Sequence, residues 1–391
     1  MRLDVIARIM DEKALDAVVL ANPENIRYLT GFFNPVQRVR PNDLNSYFVM
    51  AKGEKPALIT NGAGIGLTAE LGDEVDICLF SPFPIQGVNP DLGKRDADLM
   101  ELVQNHCFET EPEAIADVLR RGTGKLDLIG TDLNGINFCA YRSIAQALSE
   151  TVRPVNIHKE LENSRKIKSP EEVGLLRNAA RITEQAFLHT LNFMKDGKTE
   201  QDLCAEYESQ LVLSGAQPLF AIIGIDSNGA YPNWLPGGRA LENGSVVRFD
   251  IGCQYRGYCA DIARTVVFGT PRPGYSKRYQ AVLKGFHAAL SAIRPGALAS
   301  DIFSTATDTI RGAGLFDFDR LHCGHGIGMS LYEGLRIAPD DHQPLQAGMV
   351  FCLETPYYVH GDAGFQVENM IHVTEDGFES LTTIDDGLYI V

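Results

Sequence analysis

The chain has 391 residues, of which 45% are hydrophobic and 22% charged, a composition typical of a globular protein with one large or two ordinary domains. Its net charge of −16 argues against a nucleic-acid or anionic-membrane partner, since both need a basic face. No uninterrupted apolar run is long enough to span a bilayer, and the charged N-terminal pattern "MRLDVIARIMDEKALDAVVL" indicates an amphipathic helix and a strand rather than a signal peptide.

Helices and strands alternate along the first part of the chain, which predicts a layered α/β domain. Residues 81–97 are rich in proline and glycine and are predicted to form a loop. The predicted helices cover 2–15, 111–121 and 139–150, and the predicted strands cover 16–21, 46–51, 57–60, 75–80 and 125–132.

A domain boundary is predicted after residue 160, where the charged segment "KELENSRKIKSPEE" leads into a helix. Ser169 can cap this helix, Pro170 suits its first position, and Glu172 can complete a capping box. The second domain is predicted to repeat one order of elements, two helices and then strands. Its helices cover 170–194, 199–213, 276–293 and 299–312, and its strands 220–225, 245–255, 258–269, 349–359, 364–374 and 377–382.

The eight cysteines contain no C-x-x-C pair, and several lie in apolar runs typical of strands. Buried, reduced thiols in a cytoplasmic protein are therefore favoured over disulfides.

Two acidic residues lie inside the apolar strands of a predicted β-hairpin, "RFDIGCQYRGYCADIARTVVFG", residues 248–269. Asp250 lies in the first strand and Asp261 in the second, with the turn at "QYRG". A carboxylate in such surroundings is costly unless it is paired or binds a cation, and two that converge across a hairpin repel each other. Taken alone, this pair also allows one acid to face solvent on an edge strand.

Glu354 in "MVFCLETPYY" and Glu368 in "GFQVENMIHV" repeat the pattern in two later strands. Four such acids predict a metal site, and their combined charge would be balanced by two divalent cations. Oxygen ligands with one imidazole suit Mn, Co, Fe or Zn. His325, in "LHCGHGIGMSLYEG" at 321–334, is the candidate imidazole, because its glycine neighbours let the backbone approach a crowded site. A purely structural histidine is the alternative.

With these residues the chain resembles the pita-bread metallohydrolases, which include methionine aminopeptidase, aminopeptidase P, prolidase and creatinase. "NIRYLTGF" (25–32) is similar to the creatinase-type N-terminal domain, and "RKIKSPEEVGLLRNAARI" to the start of the catalytic domain. The resemblance implies an α/β N-terminal domain over 1–160. It also implies an α+β pita-bread (creatinase/aminopeptidase) catalytic domain over 161–391, with pseudo-twofold helix-helix-strand organisation.

The resemblance also implies a two-metal site. Its metal ions would lower the pKa of a bridging water, orient the substrate carbonyl and stabilise the developing oxyanion. Glu354 is expected to serve as the acid/base partner of that water as well as a ligand. The five implied ligands are Asp250, Asp261, His325, Glu354 and Glu368.

Three positions depart from the peptidases of this group. The histidine that follows the ligand histidine by seven residues is Tyr332 here, and the histidine seventeen residues before the first aspartate is Asn233. The arginine often found two residues before the bridging glutamate is Gln366. Tyrosine and asparagine can hydrogen-bond a substrate or oxyanion, but neither titrates near neutral pH as histidine does. Tyr332 and His322 are therefore expected beside the reacting groups.

Four further residues are weaker candidates for binding substrate. Trp234, in "YPNWLPGGRAL", is a candidate for one pocket wall, with a surface loop as the alternative. Arg336 could hold a carboxylate or simply face solvent. Arg38 and Arg40 could hold an anionic substrate across a homodimer, because in relatives the N-terminal domain can reach a neighbouring subunit's active site.

The leading interpretation is a cytoplasmic metallohydrolase that cleaves the C–N amide bond of a dipeptide or Xaa-Pro-type substrate. A second interpretation keeps the fold and metals but replaces the substrate with a small non-peptide metabolite, as in creatinase-like, ectoine-hydrolase-like or sulfonium-lyase-like enzymes. The departures at Tyr332, Asn233 and Gln366 motivate it. A third is a non-catalytic binding module, as in histone-chaperone relatives, although those have lost ligands that this chain retains.

Overall fold

The computed structural model describes residues 1–42, 44–85, 91, 93–122, 124–134, 136–148 and 152–391. The chain divides into two compact units, Met1–Ser164 and Arg165–Val391. Each unit contains its own sheet and its own apolar core. Within the described residues, no helix combines the length and the apolar character needed to cross a membrane.

The first unit is a mixed sheet with helices. Its helices are α1 Leu3–Glu12, α2 Pro23–Thr30, α3 Lys94–Asn105, α4 Glu111–Arg120, α5 Phe138–Ala147 and α6 His158–Ser164. Its strands are β1 Ala17–Leu20, β2 Tyr47–Ala51, β3 Ala57–Asn61, β4 Asp76–Phe80, β5 Cys107–Phe108, β6 Leu128–Thr131 and β7 Arg153–Asn156. The strand order is β5-β4-β3-β2-β1-β6-β7, and only β1-β2 and β2-β3 are antiparallel.

Three helices of this unit, α2, α3 and α6, were not predicted. In α2, the Asn22 side chain accepts a hydrogen bond from the Asn25 amide at 3.1 Å, and Pro23 is the first helical residue. This Asn-Pro pair is a helix-start signal. The loop predicted over 81–97 is wrong at its end, because α3 begins at Lys94. Positions 86–90 and 92 of that loop lie outside the described residues.

The second unit combines four long helices with a larger sheet. The helices are α7 Pro170–Phe193, α8 Glu200–Leu213, α9 Tyr275–Ala292 and α10 Ala299–Gly312. The strands are β8 Gln217–Ile225, β9 Ser245–Tyr255, β10 Tyr258–Phe268, β11 Gly324–Gly326, β12 Val350–Glu354, β13 Tyr357–Val359, β14 Ala363–Phe365, β15 Glu368–Val373, β16 Phe378–Ser380 and β17 Tyr389–Ile390. The main sheet runs β11-β12-β15-β10-β9-β8, with β16 beside β15 and β17 beside β10.

Two local predictions in this unit are confirmed. The Ser169 hydroxyl accepts from the Glu172 amide at 3.3 Å, and the Glu172 carboxylate accepts from the Ser169 amide at 2.9 Å, which completes the capping box of α7. Strands β9 and β10 form the predicted hairpin through Arg256 and Gly257, whose φ angles are 48° and 91°. A two-residue turn with both φ angles positive matches the twist of the paired strands.

The strands predicted over 349–359 and 364–374 are wrong in extent, because each is two shorter strands. Pro356 follows β12 and has no N–H to continue the ladder. The backbone N–H of Gln366 donates to the Thr265 hydroxyl at 2.8 Å and is therefore not available to extend the strand pairing of β14. As a result, β13 and β14 form a separate two-stranded sheet beside the main one.

The helices of the second unit support the strands that carry the four predicted acids. Helix α7 packs across β9 and β10, with the Phe187 ring edge-on to Phe249 at 5.3 Å between centroids. Helices α9 and α10 pack on each other and contribute to a core that includes Phe351 and Ile371 of β12 and β15. The candidate site residues therefore project from central strands backed by packed apolar side chains.

Candidate metal centre and active site

Strand register brings the four predicted acids together. Ala263 of β10 pairs with Asp250 of β9 on one side and with Glu368 of β15 on the other. Glu368 in turn pairs with Glu354 of β12. Asp261, two residues before Ala263, lies on the same face of β10 as Ala263, because side chains alternate along a strand. Four neighbouring strands thus present carboxylates in one small region.

Glycines on both sides of His325 allow its strand to lie tightly against its neighbours. A Cβ at Gly324 would lie 2.2 Å from the Cys352 carbonyl oxygen, and one at Gly326 would lie 1.9 Å from the Glu333 carbonyl oxygen. Only residues without a side chain fit at these separations. The glycines therefore place the imidazole against β12 and beside the acids.

The acids and the imidazole form a buried cluster. His325 Nε2 lies 3.5 Å from Asp261 Oδ2 and 3.9 Å from Glu368 Oε1. The possible ligand atoms of Asp261, His325, Cys352 and Glu368 all lie within 4.8 Å of one another. Asp261 Oδ1 and Glu368 Oε1 are buried and accept no hydrogen bond. Unpaired buried carboxylate oxygens are costly, so this donor set fits a divalent cation.

The pKa values of Asp250, Asp261 and Glu368 reflect the same shortage of positive charge. Burial raises the pKa of Asp250 to about 7, with Arg248 opposing the shift and Asp261 and Glu354 adding to it. Burial likewise raises the pKa of Asp261, and it raises that of Glu368 well above its ordinary value, helped by repulsion from Asp261. A cation placed among these groups would favour their ionised forms.

Cys352 is a member of this cluster that sequence reasoning missed. Its thiol is buried and donates to the Asp261 carbonyl oxygen at 3.7 Å. Burial raises its pKa well above the ordinary value, with the neighbouring Asp261 and Glu368 adding to the shift. The available signal was spacing, because Cys352 lies two residues before Glu354 and so shares its strand face.

Arg248 is a second residue that was missed. Its side chain is fully buried, and Nη1 donates to Asp250 Oδ2 at 2.8 Å and to Gln366 Oε1 at 2.9 Å. Nε donates to the Gly229 carbonyl at 2.8 Å, and Nη2 donates to the Tyr231 carbonyl at 2.7 Å. Arg248 lies two residues before Asp250 on the same strand, which was the signal that could have found it.

Gln366 links this arginine to the two glutamates. The Gln366 amide nitrogen donates to Glu354 Oε2 at 3.2 Å and to Glu368 Oε2 at 3.3 Å. Because Gln366 is buried and its amide oxygen accepts from Arg248, all of these groups are held in one orientation. The position two residues before Glu368 thus holds an amide, and the guanidinium bonded to it comes from β9.

The two other residues predicted near the reacting groups also lie at this cluster. His322 Nδ1 lies 3.2 Å from Glu354 Oε1, although not in hydrogen-bonding alignment. The Tyr332 ring stacks on the His325 ring with 3.8 Å between centroids and 20° between planes, and it is 58% exposed. Tyr332 therefore covers the imidazole on the solvent side, while His322 lies beside the glutamate.

Glu333 follows Tyr332 in sequence and anchors the loop that carries Tyr332. Glu333 is buried, with Lys168 Nζ 3.0 Å from Oε2 and Arg165 Nε 3.3 Å from Oε1. The Met329 amide also donates to Oε1 at 3.1 Å. Burial would raise the pKa of Glu333, but Lys168 and Arg165 outweigh it and lower the pKa overall. This ion cluster was not predicted, since its cations lie far away in sequence.

The remaining candidates have the following surroundings. Trp234 Nε1 donates to Glu200 Oε2 at 2.9 Å, and Asn233 beside it is exposed. The Arg336 guanidinium donates to both carboxylate oxygens of Asp340 at 2.7 Å and is about half exposed. Arg40 is exposed and belongs to the first unit, whereas the Arg38 side chain lies outside the described residues. Roles in substrate binding for these residues stay predictions.

Comparison with known proteins assigns the family. The model of metallopeptidase family M24 matches residues 174–375, and the model of the creatinase/prolidase N-terminal domain matches residues 2–167. The chain belongs to metallopeptidase family M24. It is therefore a metallohydrolase of a family that uses divalent metal ions, and the predicted superfamily is confirmed.

Individual relatives of this M24 protein are similar over the whole chain. An Xaa-Pro dipeptidase from Pyrococcus furiosus is 25% identical over 389 residues, which cover 99% of both chains. Dipeptidase PepE from Mycobacterium ulcerans is 25% identical, with a TM-score of 0.80, over 100% of this chain and 97% of that one. An Xaa-Pro dipeptidase from Bacillus anthracis is 23% identical, with a TM-score of 0.83, over 99% and 98%. These likenesses confirm the predicted α/β N-terminal domain plus pita-bread fold.

Proposed function

We propose that this M24 protein hydrolyses the amide bond of Xaa-Pro dipeptides with two divalent metal ions. The observation that supports this proposal most strongly is the buried cluster in which Asp261 Oδ1 and Glu368 Oε1 accept no hydrogen bond. The dipeptidase names of several relatives support the choice of substrate. The proposed ligands are Asp250, Asp261, His325, Glu354 and Glu368.

Metal ions in this site would supply Lewis-acid activation of the attacking water and of the substrate carbonyl. The protein's own groups orient the ligands. Arg248 donates to Asp250 Oδ2 and leaves the other oxygen of that carboxylate for a metal. The Gln366 side chain donates to one oxygen of Glu354 and one of Glu368, and it leaves the other oxygen of each for a metal. Fixing these groups before binding reduces the reorganisation that the reaction would otherwise require.

Glu354 is the proposed general base. Burial would raise its pKa, but His322, Arg320 and His325 outweigh burial and lower it, so the group is an ionised acceptor. In this proposal Glu354 accepts a proton from the attacking water and passes it to the leaving amide nitrogen. His322 Nδ1 lies 3.2 Å from Glu354 Oε1, beside the carboxylate that moves this proton.

Tyr332 is the proposed donor to the oxyanion. Burial raises the pKa of its hydroxyl, and the nearby carboxylates of Glu354 and Asp261 raise it further. The hydroxyl therefore stays protonated at neutral pH and can donate a hydrogen bond to negative charge that develops on the substrate oxygen. Its stacking on His325 also fixes the plane of that imidazole.

Hydrolysis of Ala-Pro by Mn²⁺-loaded protein tests the proposal. We expect turnover in the wild type and none in Glu368→Gln, which removes one carboxylate from the cluster. Glu379→Gln is the matched control, because Glu379 is partly exposed and pairs with Arg177 on the surface. A wild-type protein that binds Mn²⁺ but leaves every Xaa-Pro dipeptide intact would refute the substrate assignment.

A second candidate function keeps the metals and replaces the dipeptide with a small amidated or zwitterionic metabolite. It is favoured by Tyr332, whose ring covers His325 where Xaa-Pro peptidases carry an imidazole. A panel that pairs Xaa-Pro dipeptides with such metabolites separates the two functions. Selective turnover of a metabolite would establish the second function, and robust turnover of proline dipeptides would dismiss it.

Three further properties belong to the proposal. Mn²⁺ or Co²⁺ is the expected native metal, with Fe²⁺ and Zn²⁺ as competitors, because the donor set is mainly oxygen with one imidazole. A homodimer is expected, and sedimentation analysis would measure it. A cytoplasmic location is expected because all eight cysteines are unpaired and many are buried.

A further inference from the structure

We propose that the Cys352 thiol binds one of the two metal ions and makes that ion position selective for Zn²⁺ or Co²⁺ over Mn²⁺. The other side chains that bind this ion are Asp261, His325 and Glu368. The inference rests on the metal centre of the proposed function and adds a sulphur donor to it. Cys352 lies in β12, two residues before Glu354.

Strand register places Cys352 on the face of the sheet that carries the metal ligands. Cys352 is paired directly with His325 of β11, and directly paired residues project their side chains to the same face. Side chains two positions apart also share a face, so Cys352 lies on the same side as Glu354, which is paired with Glu368. The thiol therefore belongs to the cluster and not to the apolar core behind the sheet.

The distances bring the sulphur within reach of a shared ion. Four possible ligand atoms all lie within 4.8 Å of one another, and they belong to Asp261, His325, Cys352 and Glu368. Zinc bonds to sulphur and to nitrogen or oxygen are about 2.3 Å and 2.1 Å long, so atoms this close can surround one ion after small movements of their side chains. The set of two oxygens, one nitrogen and one sulphur suits the tetrahedral preference of Zn²⁺.

Buried oxygens beside the thiol call for a positive charge. Asp261 Oδ1 and Glu368 Oε1 are buried and accept no hydrogen bond. The Cys352 thiol donates instead to the Asp261 carbonyl oxygen, with 3.7 Å between sulphur and oxygen. An ion placed among these atoms would pair with both carboxylate oxygens. Sulphur binds metals as the thiolate, so the thiol proton would leave to solvent when the ion binds.

The two ion positions of the centre then differ in their chemistry. The sulphur-containing group does not include Asp250 or Glu354. Arg248 donates to Asp250 Oδ2 at 2.8 Å, and Gln366 donates to Glu354 Oε2 at 3.2 Å. Carboxylate ligands suit Mn²⁺, whereas a thiolate favours softer ions such as Zn²⁺. The ion beside Cys352 is therefore the more thiophilic of the two.

The competing explanation is that Cys352 only fills space beside the metal centre. Free cysteines are among the most buried residues of proteins and pack as small apolar side chains with a weak S–H donor. Serine at position 352 would then change the affinities for Zn²⁺ and Mn²⁺ by the same factor, because neither ion would lose a ligand.

Co²⁺ spectroscopy and calorimetry, both without substrate, separate these explanations. A cobalt–thiolate bond gives a strong charge-transfer absorption in the near ultraviolet, which oxygen and nitrogen ligands do not give. For the wild type we expect this band to saturate at a single Co²⁺ ion per chain, and for Cys352→Ser we expect its loss. Zn²⁺ affinity should fall at least roughly ten- to hundredfold in Cys352→Ser, the effect that altering even the surroundings of a metal has, whereas Mn²⁺ affinity should change little.

Cys253→Ser is the matched control, because Cys253 is a buried cysteine of β9. It lies three residues after Asp250 and so on the opposite face, where its thiol donates to the Ala179 carbonyl oxygen of α7 at 3.5 Å. This variant should keep both the band and the Zn²⁺ affinity. Cys352→Ala should lose the band as Cys352→Ser does, and it serves if the serine variant fails to fold.

Failure of this inference differs from failure of the proposed function. Co²⁺ bound to the wild type without the band, or a band that persists in the Cys352 variants, overturns the inference, while Ala-Pro hydrolysis is measured separately. Equal loss of Zn²⁺ and Mn²⁺ affinity in Cys352→Ser likewise overturns it. A band that Cys352→Ser loses, in a wild type that leaves every Xaa-Pro dipeptide intact, supports sulphur ligation and refutes only the substrate assignment.

Discussion

Replacing Glu333 with glutamine tests whether a buried ion cluster holds the loop of the active site. Glu333, Lys168 and Arg165 have side chains that are 1%, 2% and 5% exposed, so water cannot replace a lost partner. Removing one member of a buried ion pair costs about 3–5 kcal/mol, because it leaves uncompensated charge in the interior. We expect Glu333→Gln to lower the free energy of unfolding of the second unit by this amount.

Urea unfolding followed by tryptophan fluorescence measures this loss, since Trp234 is the only tryptophan and lies in the second unit. Glu379→Gln is the control, because the Glu379 side chain is 39% exposed where it contacts Arg177 and His372. An exposed pair contributes at most about 1 kcal/mol. If Glu333→Gln changes stability no more than this control does, the cluster does not hold the loop.

Three further results are expected. The free energy of unfolding should fall as the pH drops through the folded pKa of Glu333, which lies below its ordinary 4.5, because an acid with a lowered pKa stabilises the fold only while it is ionised. Glu333→Gln should remove this pH-dependent part of the stability in an acid titration. Gly326→Ala should weaken Mn²⁺ binding in calorimetry, because its Cβ would lie 1.9 Å from the Glu333 carbonyl oxygen, whereas Gly377→Ala, in open space, should not. Tyr332→Phe should lower kcat about a hundredfold without altering the pH profile of kcat near neutrality, whereas Tyr332→His should add an inflection near pH ~6.5. An unchanged kcat in Tyr332→Phe would exclude hydrogen-bond donation by the hydroxyl.

Much of the fold could be predicted because local signals agree with it. The capping box at Ser169 and Glu172 marks the start of α7, and the turn at Arg256 and Gly257 joins β9 and β10 as expected. Acids inside apolar strands were informative because burial of an unpaired carboxylate is costly. Such signals lie in single residues and their neighbours in sequence, so they can be recognised without knowledge of tertiary contacts.

The residues that were missed depend on contacts between distant parts of the chain. Glu333 pairs with Lys168 across 165 positions of sequence, and no local pattern indicates that pairing. Arg248 and Cys352 were accessible in principle, because each lies two residues from a predicted ligand on the same strand face.

The carboxylate cluster is expected to bind the metal ions on which peptide hydrolysis by this M24 protein depends. The most direct measurement removes metal with a chelator, confirms its removal by elemental analysis, and follows Ala-Pro hydrolysis as Mn²⁺ is returned. We predict no hydrolysis without metal and recovery that saturates at two ions per chain, with no recovery in Glu368→Gln. Full hydrolysis by the metal-free protein would contradict the account.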